Sequence, residues 1–251
     1  MFKEYRYLYE THLHTSAVSA CARNSGEEMA VACKNAGYAG VIVTEHNWGG
    51  NSTLNRRLPW EDYVELFCQG YDSMKYTGDQ IGLSVFFGWE AGYRGTEFLI
   101  YGLDKTWMLA HEEIRYATIE DQYALVHEAG GIVIHAHPFR EESYIPEIRL
   151  YPEYVDGVEV INATHSNTRS HSHFNRQFNK KAAEYAEKHD FPATAGSDLH
   201  DTSVLGGGML FQRKLDSIQD FVEAFLQKES YLLTDGERIY GADGHLIWDK
   251  K

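Results

Sequence analysis

Two histidines one residue apart, His12 and His14, follow an aromatic and apolar run at residues 5–9. In an extended backbone alternate side chains share a face, so this pair can offer two imidazoles to one metal ion. Groups of the same kind recur along the chain: Glu45 and His46, Glu90, His135 and His137, Asn162 and His165, Asp198 and His200. Each comes directly after a short apolar segment. Imidazoles mixed with carboxylates, and no thiolate at any of these points, suit Zn, Mn or Fe held for chemistry rather than a structural zinc site. The donors outnumber what one tetrahedral ion can use, so two or three divalent ions are expected.

The apolar segments ahead of these groups read as strands: residues 5–9, 41–43, 84–87, 132–134, 158–161 and 193–195, with residues 208–211 as a seventh. Helical patterns alternate with them. Ser25 and Glu28 form a capping-box pair ahead of a helix that ends at Gly37, with Met29, Ala32, Cys33 and Ala36 on one face. Pro59 begins a long amphipathic helix burying Trp60, Tyr63, Val64, Phe67, Tyr71 and Met74. Thr118 with Asp121 starts another, closed by Gly130 and Gly131. Phe178, Ala182, Tyr185 and Ala186 mark a further helix, and residues 218–226 the last. Residues 98–101 read as an extra strand in a side hairpin, and the segments around 238–240 and 245–248 as a closing hairpin. Strands alternating with helices indicate a parallel sheet, and seven such repeats predict a distorted (β/α)7 TIM-like barrel. Every candidate ligand then falls at the C-terminal ends of the strands, where residues scattered in sequence converge on one mouth. An open doubly wound sheet is the alternative, but no glycine-rich phosphate loop follows the first strand.

At 251 residues, 43% hydrophobic and 24% charged, the chain suits one domain spanning residues 1–251. The net charge of −14 argues against holding long nucleic acid through its phosphates and favours a small substrate. Three cysteines at unrelated spacings, Cys21, Cys33 and Cys68, make a disulfide framework improbable and a reducing compartment the expectation. With no leader-like or membrane-spanning apolar stretch, a soluble cytoplasmic protein is expected. Seventeen tyrosines and five tryptophans, spread through every segment, read as core rather than as a base-stacking platform.

The motifs His12-Leu13-His14, Thr44-Glu45-His46, isolated Glu90, Ala136-His137-Pro138, Glu159-Val160-Ile161-Asn162 and Gly196-Ser197-Asp198-Leu199-His200 resemble, in order and spacing, those of PHP (polymerase and histidinol phosphatase) domains. That resemblance covers most of the chain and implies a metal-dependent phosphoesterase on a distorted seven-stranded barrel. It implies that His12, His14, Glu90 and Asp198 hold one ion, that Glu90 bridges to a second ion also bound by His137, and that His46 and His200 lie at a third position. His135 and His165 are further candidate ligands. Two departures stand out: Glu45 replaces the usual aspartate, as ligand or as a base behind the ligands, and Cys21 lies where many members have another histidine or an aspartate.

The expected reaction is hydrolysis of a phosphate ester on a small molecule or nucleotide by a water activated between carboxylate-bridged ions. His200, or His46 in its place, would protonate the leaving oxygen, and Arg140 would fork onto the phosphate. The alternatives are an amidohydrolase-like enzyme acting on C–N or C–O bonds, and a noncatalytic metal-stabilised regulatory domain.

Overall fold

The computed structural model describes residues 2–250. In chain order its elements are β1 (Tyr7–Leu13), α1 (Gly26–Asn35), β2 (Tyr38–His46), α2 (Trp60–Phe67), α3 (Gln69–Ile81), β3 (Ser84–Tyr93), β4 (Thr96–Tyr101), α4 (Lys105–Ala110), α5 (Ile119–Glu128) and β5 (Ile132–Ala136). There follow β6 (Gly157–Asn162), α6 (Ala163–Ser166), α7 (Arg176–His189), β7 (Ala193–Gly196), β8 (Gly207–Phe211), α8 (Ile218–Leu226), β9 (Tyr231–Asp235), β10 (Arg238–Tyr240) and β11 (Leu246–Asp249). Both capping boxes form: Ser25 exchanges hydrogen bonds with Glu28 at α1, and Thr118 with Asp121 at α5. The long helix expected from Pro59 divides at Cys68 into α2 and α3.

Among the described residues the strands join in one sheet, ordered β11-β10-β9-β8-β1-β2-β3-β4-β5-β6-β7. This eleven-stranded mixed sheet corrects the expected ring of seven parallel strands. The pairs β1–β2, β2–β3, β5–β6 and β6–β7 are parallel; α1, α2 with α3, and α6 with α7 form three of the crossovers, whereas β5 and β6 are joined by a long loop with one 3-10 turn at Pro152–Tyr154. Between β3 and β5, however, lies antiparallel β4. The β3–β4 connection is Arg94-Gly95, both at positive φ (53° and 87°), and a two-residue turn of that kind can only reverse the chain. The segment read as a side hairpin is therefore a central strand. On the other edge of β1, β8 runs antiparallel, and β9, β10 and β11 extend the sheet as a meander.

The sheet curls until β7 comes back against β1. Thr11 Oγ1 donates to the Ala195 carbonyl at 2.8 Å, His14 N donates to Leu199 O at 2.8 Å, and Leu199 N donates to His12 O at 3.0 Å. One parallel bridge, Leu13 with Leu199, thus joins the ends of these strands. Helices cover the outside. On α8, Phe221 is fully buried and meets Tyr101 edge-on at 5.3 Å and Phe211 at 6.3 Å, so truncating it to alanine costs about 3–5 kcal/mol. No helix among the described residues is long and apolar enough to cross a membrane.

Candidate metal centre

Glu90 lies on β3, paired in register with His46 at the end of β2. Its carboxylate is buried among four imidazoles. Oε1 is 3.3 Å from His12 Nε2 and 3.1 Å from His137 Nε2, while Oε2 is 2.7 Å from His46 Nδ1 and 3.5 Å from His14 Nε2. Asp198, just past β7, faces the same cluster: its Oδ1 is 3.4 Å from His12 Nε2, 3.3 Å from His14 Nε2 and 3.4 Å from His200 Nδ1. The His14 ring stacks between those of His46 and His200, at centroid distances of 4.3 and 4.4 Å. The seven residues expected as ligands are therefore gathered in one place.

This arrangement fits divalent ions better than it fits hydrogen bonding. His12 Nε2 and His14 Nε2 are buried without a hydrogen-bond partner, and His46 Nδ1 meets Glu90 Oε2 without hydrogen-bond alignment, a costly condition unless a cation lies among them. Bond lengths of about 2.0–2.1 Å around a tetrahedral ion place its donors roughly 3.3–3.4 Å apart, which matches the separations of His12 and His14 from Glu90 and Asp198.

Hydrogen bonds behind the cluster aim these nitrogens. His12 Nδ1 meets Glu159 Oε1 at 2.9 Å, leaving Nε2 to face the centre. Glu159 Oε2 accepts from His137 N and from Asn162 Nδ2. His14 Nδ1 meets Ser19 Oγ at 3.1 Å, and that hydroxyl donates to Glu45 Oε2 at 2.6 Å. Glu45 also accepts from the Thr15 amide and hydroxyl. With its oxygens taken up in this way, Glu45 positions His14 through Ser19 and stands behind the cluster.

Arg140 differs from its expected role as a free fork. Its guanidinium is buried, donating through one terminal nitrogen to Asp198 Oδ2 and through Nε to His165 Nε2 at 3.1 Å. His165 is engaged on both sides, since its Nδ1 meets Asn179 Oδ1 at 2.9 Å. Asn162 holds Glu159 and caps α6. His135 stacks on Phe98, its partner across the β4–β5 ladder, at 5.0 Å. The structure thus brings neither His135 nor His165 into the cluster.

Glu97, which the sequence reading passed over, does reach it. On β4 it lies opposite Gly92 of β3 and Ala136 of β5, and its Oε2 is 3.6 Å from His137 Nε2. Two cluster residues, His137 and Asp198, have positive φ (26° and 55°), a strained conformation for residues with side chains that recurs at functional sites.

Burial and neighbouring charges act against each other throughout the cluster. Burial opposes ionisation of Glu90, but His12 and His46 outweigh it and keep the carboxyl well below its usual range. Burial likewise opposes ionisation of Asp198, which Arg140 and His12 hold well down. Burial disfavours protonated His12 and His46 too, yet Asp198, Glu159 and Glu90 raise the first well above its ordinary value and Glu90 raises the second. His14 is pushed well down by burial and by its neighbours His46 and His200.

His46, Asp198 and His200 of the cluster line a cavity of about 640 Å³, together with Glu97, Arg140 and Cys21 among others. Cys21 Sγ is 3.3 Å from His46 Nε2. Burial opposes ionisation of this thiol, but hydrogen bonds to His200 and His46 prevail and bring it down to about 6.

Comparison with known proteins agrees with the motifs. Residues 176–230, covering α7 to the start of β9, match a family model described as PHP-associated. The fold is similar to a two-domain protein from Bacteroides vulgatus containing a predicted PHP-like metal-dependent phosphoesterase, with a TM-score of 0.66 at 13% identity over 93% of this chain; the chain spans 66% of that protein's length. It is similar to PsfC from Pseudomonas syringae, with a TM-score of 0.58 at 18% identity over 86% of this chain and 87% of the other. It also resembles a protein from Bifidobacterium adolescentis designated a metal-dependent phosphoesterase, with a TM-score of 0.52 at 15% identity over 88% of this chain and 96% of the other. No curated protein matches in sequence. The chain has the fold of PHP-like proteins and carries a PHP-associated segment.

Proposed function

We propose that the chain is a metal-dependent hydrolase of phosphate esters, acting on a phosphomonoester or nucleotide small enough for the cavity above the cluster. The observation that carries this reading is the convergence of His12, His14, His46, Glu90, His137, Asp198 and His200 in one buried cluster, of which His46, Asp198 and His200 line the cavity. Two or three Zn, Mn or Fe ions held there supply the Lewis acidity that activates water and offsets charge on the phosphoryl oxygens. His12, His14, Glu90 and Asp198 would hold one ion, Glu90 with His137 would hold a second, and His46 with His200 would hold a third.

The protein's own groups do the rest. The His200 side chain is 26% exposed, against 9% for His46 and 3% for His137, so it is the imidazole best able to meet a leaving oxygen arriving from the cavity. Burial disfavours its charged form, but Asp198 and Cys21 raise its pKa above the ordinary histidine value, the direction that suits a general acid. Arg140 fixes Asp198 and lines the cavity, adding positive charge beside the anionic group of a substrate. His46 is the second candidate acid, and Glu45 acts through Ser19 by orienting His14.

The test is phosphate release from a panel of phosphomonoesters and nucleotides by protein reloaded with Mn or Zn, beside an EDTA-stripped sample. Metal-dependent release confined to one class of ester is the expected result. Two or more bound ions with no release from any ester would overturn the reading, and hydrolysis of amides or lactones by the same sample would replace it with the amidohydrolase-like one.

A further inference from the structure

We propose that Glu97, delivered by the antiparallel strand β4, is a ligand of the second ion position, where it joins Glu90 and His137. This assignment rests on the reading of the cluster as a metal centre and goes beyond the ligands that the sequence motifs supply.

The strand register puts Glu97 in place. Partners across an antiparallel ladder share a face, so Glu97 stands on the same face as Gly92, and therefore as Glu90 two residues before it. On its other side β4 pairs with β5, where Ala136 lies opposite Glu97 and His137 follows directly. A single imidazole nitrogen, His137 Nε2, consequently faces two carboxylates, at 3.1 Å from Glu90 Oε1 and 3.6 Å from Glu97 Oε2.

Three further observations point to an ion among them. Donor atoms of His46, Glu90 and Glu97 lie within 4.8 Å of one another. His46 Nδ1 and Glu90 Oε2, on side chains only 9% and 1% exposed, approach each other to 2.7 Å without the alignment of a hydrogen bond. Finally, the histidine expected to approach from the β6 side is engaged elsewhere, since His165 gives one ring nitrogen to Asn179 and the other to Arg140. Two carboxylates this little exposed, placed side by side, repel unless a proton or a cation stands between them, and a divalent ion held with His137 relieves that repulsion. A set of two carboxylates and one imidazole is harder than the histidine-rich sets usual for zinc, which favours Mn over Zn at this position.

The experiment compares wild-type protein with Glu97→Gln, Glu97→His and His165→Asn. Each is loaded with Mn, desalted, analysed for ions per chain, and examined by electron paramagnetic resonance for an exchange-coupled Mn pair. Wild type and His165→Asn should show the coupled pair, and Glu97→Gln should lose it together with about one ion per chain. Glu97→His, which keeps a donor at that point, should retain the ion and tolerate Zn better. A coupled pair surviving in Glu97→Gln, or lost only in His165→Asn, overturns the assignment. Loss in both Glu97 variants overturns it in favour of a general structural defect. Wild type that takes up no ion at all defeats the metal-centre reading itself, and wild type holding a single ion defeats only the second position.

Discussion

Asp198 divides its carboxylate between two tasks: Oδ2 receives the buried guanidinium of Arg140, while Oδ1 faces His12, His14 and His200. Removing the carboxylate therefore strips a ligand and strands a buried cation. Asp198→Ala should lose bound metal and turnover and cost about 3–5 kcal/mol of stability, the usual effect of breaking a buried pair. Asp198→Ala combined with Arg140→Met should regain part of that stability in denaturant unfolding while its metal content stays low. Full metal content in Asp198→Ala would remove Asp198 from the ligand set.

Gly70 on α3 offers a test in which helix propensity and site geometry oppose each other. A methyl group there would collide with the carboxylate of Glu45 and the hydroxyl of Thr15. Alanine in a helix interior ordinarily gains about 1 kcal/mol over glycine. Here Gly70→Ala should lower the melting temperature and weaken metal binding by about 10–100-fold, because Glu45 loses its hold on Ser19 and so on His14. Ser19→Ala should weaken metal binding similarly without any clash. Unchanged affinity in both variants would show that the Glu45–Ser19–His14 chain does not aim the ligand.

Metal uptake should release protons. His12 and His46 are held well above the ordinary histidine value, so both carry protons at pH 7 in the metal-free protein, whereas His14 is already neutral. Ligation displaces those protons, on the order of two per chain, and apparent affinity rises with pH. Titration calorimetry in two buffers of different ionisation enthalpy reads the number directly, and a heat independent of buffer would contradict it. The same shifts set the stability of the metal-free form. The raised histidines contribute stability that is complete below about pH 6.5 and is lost as pH rises through their folded values. The depressed Glu90 and Asp198 contribute stability present above about pH 4.5 and lost on acidification, and the depressed His14 contributes stability present above about pH 6.5 and lost as pH falls.

Cys21 should be the reactive thiol. Cys33 and Cys68 are buried, and burial pushes both up, Cys68 to about 12, whereas Cys21 sits near 6 beside His46 and His200. At pH 7 an alkylating reagent should label Cys21 first, as peptide mapping would show, and metal loading should slow the reaction. Faster labelling of Cys33 or Cys68 would refute the order.

Much of the centre was legible because strand ends and polar ligands occur together in the sequence: His12 with His14, His46, Glu90 and Asp198 were all found by that rule. The same rule misjudged His135. Its i, i+2 relation to His137 predicts a shared face, but the strand ends at Ala136, and the positive φ of His137 turns that side chain into the site while His135 remains on the Phe98 face. Glu97 was hidden for a different reason. Its position depends on which strands pair, and residues 98–101 carry no local sign that they insert between two distant strands. The Tyr231–Asp235 strand was missed likewise, since its partner β8 is fixed by tertiary contact. Arg140 followed the right motif, but only the fold brings His165 and Asp198 to its nitrogens.

The join between the first and last parallel strands passes through the backbone of His12, His14 and Leu199, so sheet closure and the metal centre share the same few peptide groups. Ions bridging His12, His14 and Asp198 would rivet that seam from the side-chain side. The amides of His14 and Leu199 then become gauges of occupancy, exchanging with solvent deuterium quickly in stripped protein and slowly in loaded protein. An opening that begins at this seam would let ligands leave and the strands part in one motion.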